Sequence, residues 1–424
     1  MNEYKIVYNF FKRPIKIPKN WEYVMYSDVL IEEEKPIIFD DNEKYDLITV
    51  QRRNNGLILR ETLEGYQIKV KKLFDVDEGD FLIARMQIIH GACGLVPKNL
   101  ADAKITASYI RFTSKSLLSL EYLNLFSHTP LFYQQTFISS VGSNLEKMNF
   151  NKKHWLKHLF PLPPREEQDK IVEIINNVTK LTQDTEKIIQ QTKRLKKGLI
   201  QKLLTKGIEH TKFKKVKWYY EKEIEIPTEW RITTLKESSC ITDGSHFSPP
   251  KTDNGFPLAT VENLKDSEID TESCYKISKE DFEELAKNNC KPEINNVLFS
   301  KDGTVGKSFV FTQNIDVVLL SSIAILKPFD DLNSYFLHYS FQSEAINKFI
   351  AKYLGGTAIK RIILKNLEKF FFPLPPLPEQ QKIVSILSNV DSKIQYQEKY
   401  KEKLQRLKKS LMQKLLTGEV MVKV

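Results

Sequence analysis

Four cysteines in 424 residues, Cys93, Cys240, Cys274 and Cys290, stand far apart with no CxxC pair. That spacing offers neither a disulfide framework nor a zinc site, and it fits reduced thiols of a cytosolic protein. Long apolar runs are also missing. The longest, over residues 315–326, contains Asp316, Ser321 and Ser322 and is too short to span a bilayer. Residues 1–12 lack a sustained apolar core, so no signal peptide is read, and a cytoplasmic protein without membrane contact is expected. Catalytic signatures are lacking too. The run Gly303-Thr304-Val305-Gly306-Lys307-Ser308 has two residues between its glycines, not the four of a phosphate-binding loop, and reads as a strand-end turn. His154 and His158 stand at i, i+4, but Trp155 occupies the place of a general base, so a solvated helix or turn face is expected. Ser248-Pro249-Pro250-Lys251 has a lysine where an amino-methyltransferase loop carries an aromatic ring for a flipped base. No strand-borne acidic pair with ExK is found either. What is present in excess is positive charge: net +10 and a pI near 9.0, in an otherwise ordinary composition of 41% hydrophobic residues. Such a charge favours an anionic partner.

The chain is written twice. Pro161-Leu162-Pro163-Pro164 leads through Glu167-Gln168 and Lys170-Ile171-Val172 to Gln201-Lys202-Leu203-Leu204-Thr205. Pro373-Leu374-Pro375-Pro376 leads through Glu379-Gln380 and Lys382-Ile383-Val384 to Gln413-Lys414-Leu415-Leu416-Thr417, at an offset of 373 − 161 = 212 residues. A period of half the chain is a tandem duplication of a whole module, not a solenoid unit. Each Pro-rich lead-in opens a helix. Ile171, Ile174, Val178, Leu181, Thr185, Ile188, Thr192, Leu195 and Leu199 alternate steps of three and four. Ile383, Ile386, Val390, Lys393, Gln397, Tyr400, Leu404, Leu407 and Leu411 take the same register. The pattern is a coiled-coil seam, and helices of roughly 60 Å packing on each other are expected.

The organisation read from these signals is a globular domain at 1–160, a helix at 161–210, a second globular domain at 211–372 and a second helix at 373–424. Ile17-Pro18-Lys19-Asn20-Trp21 returns as Ile226-Pro227-Thr228-Glu229-Trp230, so the domains belong to the repeat. In the first domain, residues 45–53 read as a strand, Asn54-Asn55-Gly56 as a turn and 57–59 as the returning strand. Further strands are expected at 81–84 and 108–112, and helix at 119–132. Residues 211–220 read as a linker. In the second domain, 243–250 form a loop, 256–261 and 317–326 are strands, and 333–353 is helical up to Gly355-Gly356.

Gln51, Arg52, Arg53 and Asn54 carry the donors and acceptors that read guanine and adenine edges. Alternation along a strand sends Arg52 and Arg53 to opposite faces, so at most one is expected to reach bases. Gly355 to Arg361 is a basic loop suited to phosphates, and His246 suits either role.

Taken together, the doubled Pro-Leu-Pro-Pro…Glu-Gln…Lys-Ile-Val, the doubled helix end and the doubled Ile-Pro-x-x-Trp resemble the specificity subunit of type I restriction–modification systems. Asp243-Gly244-Ser245-His246, Lys301-Asp302-Gly303-Thr304-Val305-Gly306, Gly356-Thr357-Ala358-Ile359-Lys360-Arg361 and Thr49-Val50-Gln51-Arg52-Arg53-Asn54 resemble family elements within the domains. Arg165-Glu166 in place of Leu377-Pro378, and a first-domain Gly142 to Lys147 loop unlike its counterpart, depart from the repeat. The resemblance implies an α+β chain. Two target-recognition domains, separated by two long antiparallel coiled-coil helices in a pseudo-twofold tandem repeat, would read a bipartite, asymmetric double-stranded DNA site. A 60 Å spacer would separate the contacts by at most about 17 base pairs. The implied DNA contacts are Gln51, Arg52, Arg53, Asn54, His246, Lys301, Thr357, Lys360 and Arg361. Lys193, Arg194, Lys197, Arg406, Lys408 and Lys409 would face partners or the DNA between half-sites. The implied partners are two methyltransferase subunits and the restriction–translocase subunits. S-adenosylmethionine, ATP and magnesium belong on those partners, and this chain is expected to be non-catalytic with no cofactor. A stand-alone DNA-binding or scaffold protein left from a decayed system is the other reading of the same residues.

Overall fold

The computed structural model describes residues 4–9, 12–219, 223–354 and 361–423. Two compact units divide the chain: residues 1–186 with 399–424, and residues 187–398. Neither coincides with one copy of the repeat, because each unit holds the first half of one long helix and the second half of the other. Those helices are Arg165–Lys206 and Leu377–Leu416.

In unit 1 a four-stranded sheet orders Leu30–Glu32, Tyr109–Ser114, Phe81–Ala84 and Cys93–Leu95. A second sheet orders Leu57–Glu64, Lys44–Val50, Lys104–Thr106 and Leu73–Asp75. In unit 2 the sheet Ser239–Asp243, Ile323–Pro328, Val297–Ser300 and Ser308–Val310 repeats the first of these. Beside it lies a three-stranded sheet of Tyr275–Ile277, Phe256–Ala259 and Val318–Leu319. The core of unit 1 gathers around Tyr26, which stacks on Trp155 at 4.0 Å and on Phe160 at 4.4 Å. Its hydroxyl, buried among these rings, donates to Gln135 at 2.8 Å.

The duplicated Glu-Gln explains how each long helix is set on its domain. Trp21 Nε1 donates to Glu167 at 3.0 Å, and Trp230 Nε1 donates to Glu379 at 2.8 Å. Gln168 accepts from the Ser119 N–H and donates to the carbonyls of Leu117 and Pro163, all within 2.9 Å. Gln380 does the same with Asn333, Asp331 and Pro375. Buried amides and carboxylates are satisfied at both ends, so the first turn cannot rotate without stranding them. The Pro-Leu-Pro-Pro lead-ins are strands: Leu159–Leu162 pairs with Glu22–Met25, and Phe371–Leu374 with Arg231–Thr234. Pro378 sits in the first helical turn, where its missing N–H costs nothing.

Within each unit the two helix halves run antiparallel. In unit 1 Lys401 pairs with Glu186, while Leu415 and Leu416 join the core that holds Ile171 and Ile175. In unit 2 Lys193 meets Glu398 and Lys196 meets Asp391, both at 2.6 Å, and Leu204 joins the core of Ile383 and Leu387. Half of the expected seam is displaced by one residue. Ile171, Val178, Thr185 and Thr192 are buried as read, but Ile175 and Ile189 fill the alternate positions. Leu181, Ile188 and Leu195 are exposed, as are Ile386, Tyr400 and Leu407. The period alone could not choose between two stripes one residue apart on a helix that is apolar on both.

Other expectations shift for local reasons. The helical pattern at 119–132 is two helices, Leu120–Phe126 and Pro130–Ile138, because Thr129 caps the second and Pro130 occupies its first position. Residues 213–217 form a strand paired with Glu223–Pro227 instead of a linker. The apolar run at 317–326 is two strands, Val318–Leu319 and Ile323–Pro328, split at Leu320–Ser322. His154 and His158 are no solvated pair: both rings contact the Ser139 hydroxyl at 3.0 Å, and His158 is buried.

Candidate nucleic-acid interface

In unit 1 the strand containing Thr49 ends at Val50, so Arg52 and Arg53 lie in a turn and not on opposite faces of a strand. Arg53 has φ +60° and Asn54 φ +52°, two successive left-handed residues that match the twist of the hairpin. For arginine this conformation costs about 1–2 kcal/mol, and the surroundings hold it there. The Arg53 N–H donates to the His90 carbonyl at 2.7 Å, and the Asn54 N–H donates to the Gly91 carbonyl at 2.8 Å. The Asn54 side chain is spent inside the fold: its amide donates to the Ser127 hydroxyl at 2.8 Å, and its oxygen accepts from the Tyr133 hydroxyl. Asn54 therefore positions the tip and is not free to read bases. Gln51 is half-buried, and its N–H closes the turn on Gly56 at 2.9 Å.

The tip presents the arginines. Arg52 pairs with Glu146 at 2.5 Å, and Glu146 also approaches His90 at 3.5 Å. The Arg52 guanidinium holds the Glu146 carboxyl below the usual carboxylate range. Arg53 is exposed, and among the described residues it has no ion-pair partner. Glu146, Ser127 and Tyr133 escape a sequence reading because they lie 73 residues or more beyond the turn they hold. Charge opposite to a candidate arginine, in a loop whose sequence departs from its repeat, was the one available signal.

In unit 2 the structure brings His246, Lys301 and Arg361 together through two aspartates. Asp243 Oδ2 lies 3.2 Å from His246 Nε2 and 3.3 Å from Lys301 Nζ. The neighbour of Lys301, Asp302, accepts from Arg361 Nε at 2.9 Å. His246 and Arg361 are exposed, whereas the Lys301 side chain is only 4% exposed. Lys301 is thus a buried ammonium paired with a carboxylate, an arrangement that braces the loop, while His246 and Arg361 form its exposed side. Thr357 and Lys360 lie outside the described residues. His246 and Asp302 border an open recess of about 310 Å³ that also takes in Thr260, Glu262 and Ser322. Its rim mixes donors and acceptors, which suits base edges better than phosphates alone. Gly244 is required here because a Cβ would strike the carbonyl of Leu319, against which the Ser245 N–H bonds at 2.7 Å.

The basic run is divided in role. Lys193 is paired with Glu398, while Arg194 and Lys197 are exposed. Arg406 and Lys409 are exposed in unit 1, and Lys408 is half-buried. No helix of the described residues is long and apolar enough to cross a membrane.

Comparison with known proteins follows this geometry. The family model for the type I restriction modification DNA specificity domain matches residues 18–195 and 227–406. The MjaVIII type I restriction enzyme specificity subunit of Methanocaldococcus jannaschii is 28% identical, over 96% of this chain and 95% of its own length. The EcoBI specificity subunit of Escherichia coli is 23% identical over 67% of this chain and 64% of its own. Among solved structures, the HsdS subunit from Thermoanaerobacter tengcongensis superimposes with a TM-score of 0.52 at 19% identity, covering 95% of this chain and 98% of that one. A chain from a type I R-M system assembly superimposes with a TM-score of 0.59 at 18% identity, covering 96% of this chain and all of that one. At such identities the likeness establishes the fold.

Proposed function

The chain belongs to the type I restriction modification DNA specificity family, and from that premise we propose that it reads a bipartite, asymmetric DNA site for the complex in which it assembles. It is a DNA-specificity subunit. The observation that carries the reading is that each unit repeats one construction beneath a different surface. A rigid arginine-bearing turn stands on unit 1, and the His246–Arg361 recess stands on unit 2. Two unlike surfaces on a duplicated scaffold read two unlike half-sites. Arg53 is the base-reading residue of the first, with Arg52 beside it for phosphate or base once released from Glu146. His246 and Arg361 lead the second, with Thr357 and Lys360 as further contacts.

The subunits that carry out chemistry dock on the long helices. The seam has more apolar positions than the chain uses on itself: Leu181, Tyr400 and Leu407 are left exposed in unit 1, and Ile188, Leu195 and Ile386 in unit 2. Repeated apolar positions left uncovered on a helix are what a helical partner covers. Two methyltransferase subunits and the restriction–translocase subunits are the proposed partners. S-adenosylmethionine, ATP and magnesium are held by those partners, this chain is non-catalytic, and the complex works in the cytoplasm. A soluble, DNA-bound orphan without enzyme partners is the alternative that the same experiment addresses.

Co-expression with the neighbouring modification subunit in a methylation-free host, followed by genome-wide mapping of modified bases, tests the proposal. A split motif with a fixed gap is expected. A soluble assembled complex that methylates nothing would overturn it.

A further inference from the structure

Three carboxylates stand around the recess of unit 2, and two of them are answered by cations. Asp243 meets His246 and Lys301, and Asp302 meets Arg361. The third, Glu262, lines the recess and is exposed. Among the described residues its carboxylate has neither an ion-pair nor a hydrogen-bond partner. The next lysine along the chain, Lys265, is taken by Asp270 at 3.0 Å. On a surface that faces DNA, an uncompensated carboxylate is repelled by phosphates unless it accepts a hydrogen bond there.

Ser322 ties the supports of Glu262 and Arg361 together. Its hydroxyl accepts from the Val261 N–H at 3.1 Å, and its carbonyl accepts from the Lys301 N–H at 2.9 Å. Val261 opens the single turn Val261–Asn263 that carries Glu262, and the Thr260 hydroxyl caps that turn. Lys301 leads into Asp302, which bridges Arg361 in antiparallel fashion, and the Ile362 N–H donates back to the Lys301 carbonyl at 2.8 Å. Gly303, at φ +66°, lies against the other turn: a Cβ there would stand 3.6 Å from the Val261 side chain. Asp302 engages Arg361 through Nε alone, so among the described residues both terminal nitrogens of the fork remain to donate.

Two donors and one acceptor beside one recess match a single base pair. In the major groove a G·C pair presents the guanine acceptors N7 and O6 and then the cytosine N4 amino donor. An A·T pair alternates acceptor, donor and acceptor, and ends on a methyl group. We infer that the recess reads one G·C pair whole, with the Arg361 fork on guanine N7 and O6 and the Glu262 carboxylate on the cytosine N4 amino group. The inference rests on the DNA reading proposed above and adds the identity of a base pair in the second half-site. Reversed, the same pair sets acceptors against the carboxylate and the amino group against the fork, so it is actively rejected.

The test uses the complex assembled with the modification subunit, once methylation mapping has given the second half-site. Synthetic duplexes carry, at one cytosine of that half-site at a time, an analogue with hydrogen in place of the N4 amino group. One such duplex is expected to bind the unaltered complex about tenfold more weakly than the unmodified site does. The Glu262→Ala complex is expected to bind those two duplexes equally, and its mapped motif should become degenerate at that position. Glu262 is exposed and its side chain bonds nothing among the described residues, so the variant keeps its fold. A carboxylate that is merely solvated gives the opposite sign: Glu262→Ala would tighten binding to every sequence alike and leave each analogue effect unchanged. That result would overturn the inference. A second half-site without a G·C pair would overturn it as well, with the reading of two half-sites still standing. If mapping gives no second half-site, both fall.

Discussion

Arg53 and Asn54 show how neighbouring residues of one motif divide the work. Asn54 is fully hydrogen-bonded to Ser127 and Tyr133, and that network holds Arg53 in a left-handed conformation at the tip. Arg53→Ala is expected to relax recognition at one position of the first half-site by about 1–3 kcal/mol, the worth of a bidentate base contact. Methylation mapping would show that position become degenerate with the second half-site intact. Asn54→Ala acts differently, because it strands buried donors and acceptors. It should destabilise unit 1 by about 1–3 kcal/mol in urea titrations as well as weakening recognition. Glu379 is a comparable structural group: it accepts from Trp230 at 2.8 Å, from the Ile208 N–H at 3.1 Å, and lies 2.8 Å from His210. Glu167 holds Trp21 in the same way, and it also accepts from the Asn20 side chain at 3.2 Å and from the Val422 N–H at 3.4 Å. Glu379→Gln and Glu167→Gln should therefore each lower the denaturation midpoint of their own unit in urea titrations.

Among the elements, the helix Ser334–Phe341 carries a pH dependence. The ring of His338 lies 3.1 Å from the Ser308 hydroxyl, on the adjoining strand, and 2.8 Å from the Gln342 amide. The contact is through the amide nitrogen, which can only donate, so His338 Nε2 accepts and the imidazole is neutral. Burial, and then Lys196, pushes its pKa down to about 4, against the opposing pull of Asp391. The unfolded chain takes up the proton near pH 6.5 and the folded chain near 4, so stability present above pH 6.5 is lost as pH falls through that window. The loss should be on the order of 3 kcal/mol, and His338→Gln should make the melting temperature of unit 2 less sensitive to pH between 7 and 4.5. The long helices separate packing from docking residue by residue. Ile171→Ala and Ile383→Ala, at fully buried positions, should cost about 2–5 kcal/mol each. Leu195→Asn and Leu407→Asn, at exposed positions, should change stability by about 0.5 kcal/mol or less while reducing recovery of the assembled complex.

Across the whole molecule, duplication produces two units of one construction whose surfaces have diverged. The repeated parts are those that bear load: tryptophan on glutamate, glutamine on backbone, and a strand leading into each helix. The diverged parts are the arginine turn of unit 1 and the aspartate-held recess of unit 2. Because the two surfaces share no partner among the described residues, Arg53→Ala and Arg361→Ala should each relax their own half-site. The double variant should show the sum of the two effects, measured as methylation of each motif variant.

The duplication, the two helices, the α+β character and the family were legible in the sequence, because they are written in local spacing and in residues that recur in order. A proline before an apolar period marks a helix start wherever it stands, and two matched copies 212 residues apart leave little freedom of interpretation. Which of two adjacent helical stripes turns inward was not legible. Ile174 and Ile175 satisfy the period equally, and only packing into the core of unit 1 selected Ile175 for full burial. The fate of charged groups was likewise decided by the tertiary structure. Lys301 and Arg361 look alike as basic residues in a loop, yet one is buried on Asp243 and the other stands exposed on Asp302. Lys196 and Lys408 occupy identical positions in the repeat, yet among the described residues only Lys196 has an ion-pair partner, Asp391. Local periodicity is encoded along the chain, whereas the solvation and pairing of a charge depend on distant residues that only folding brings into contact.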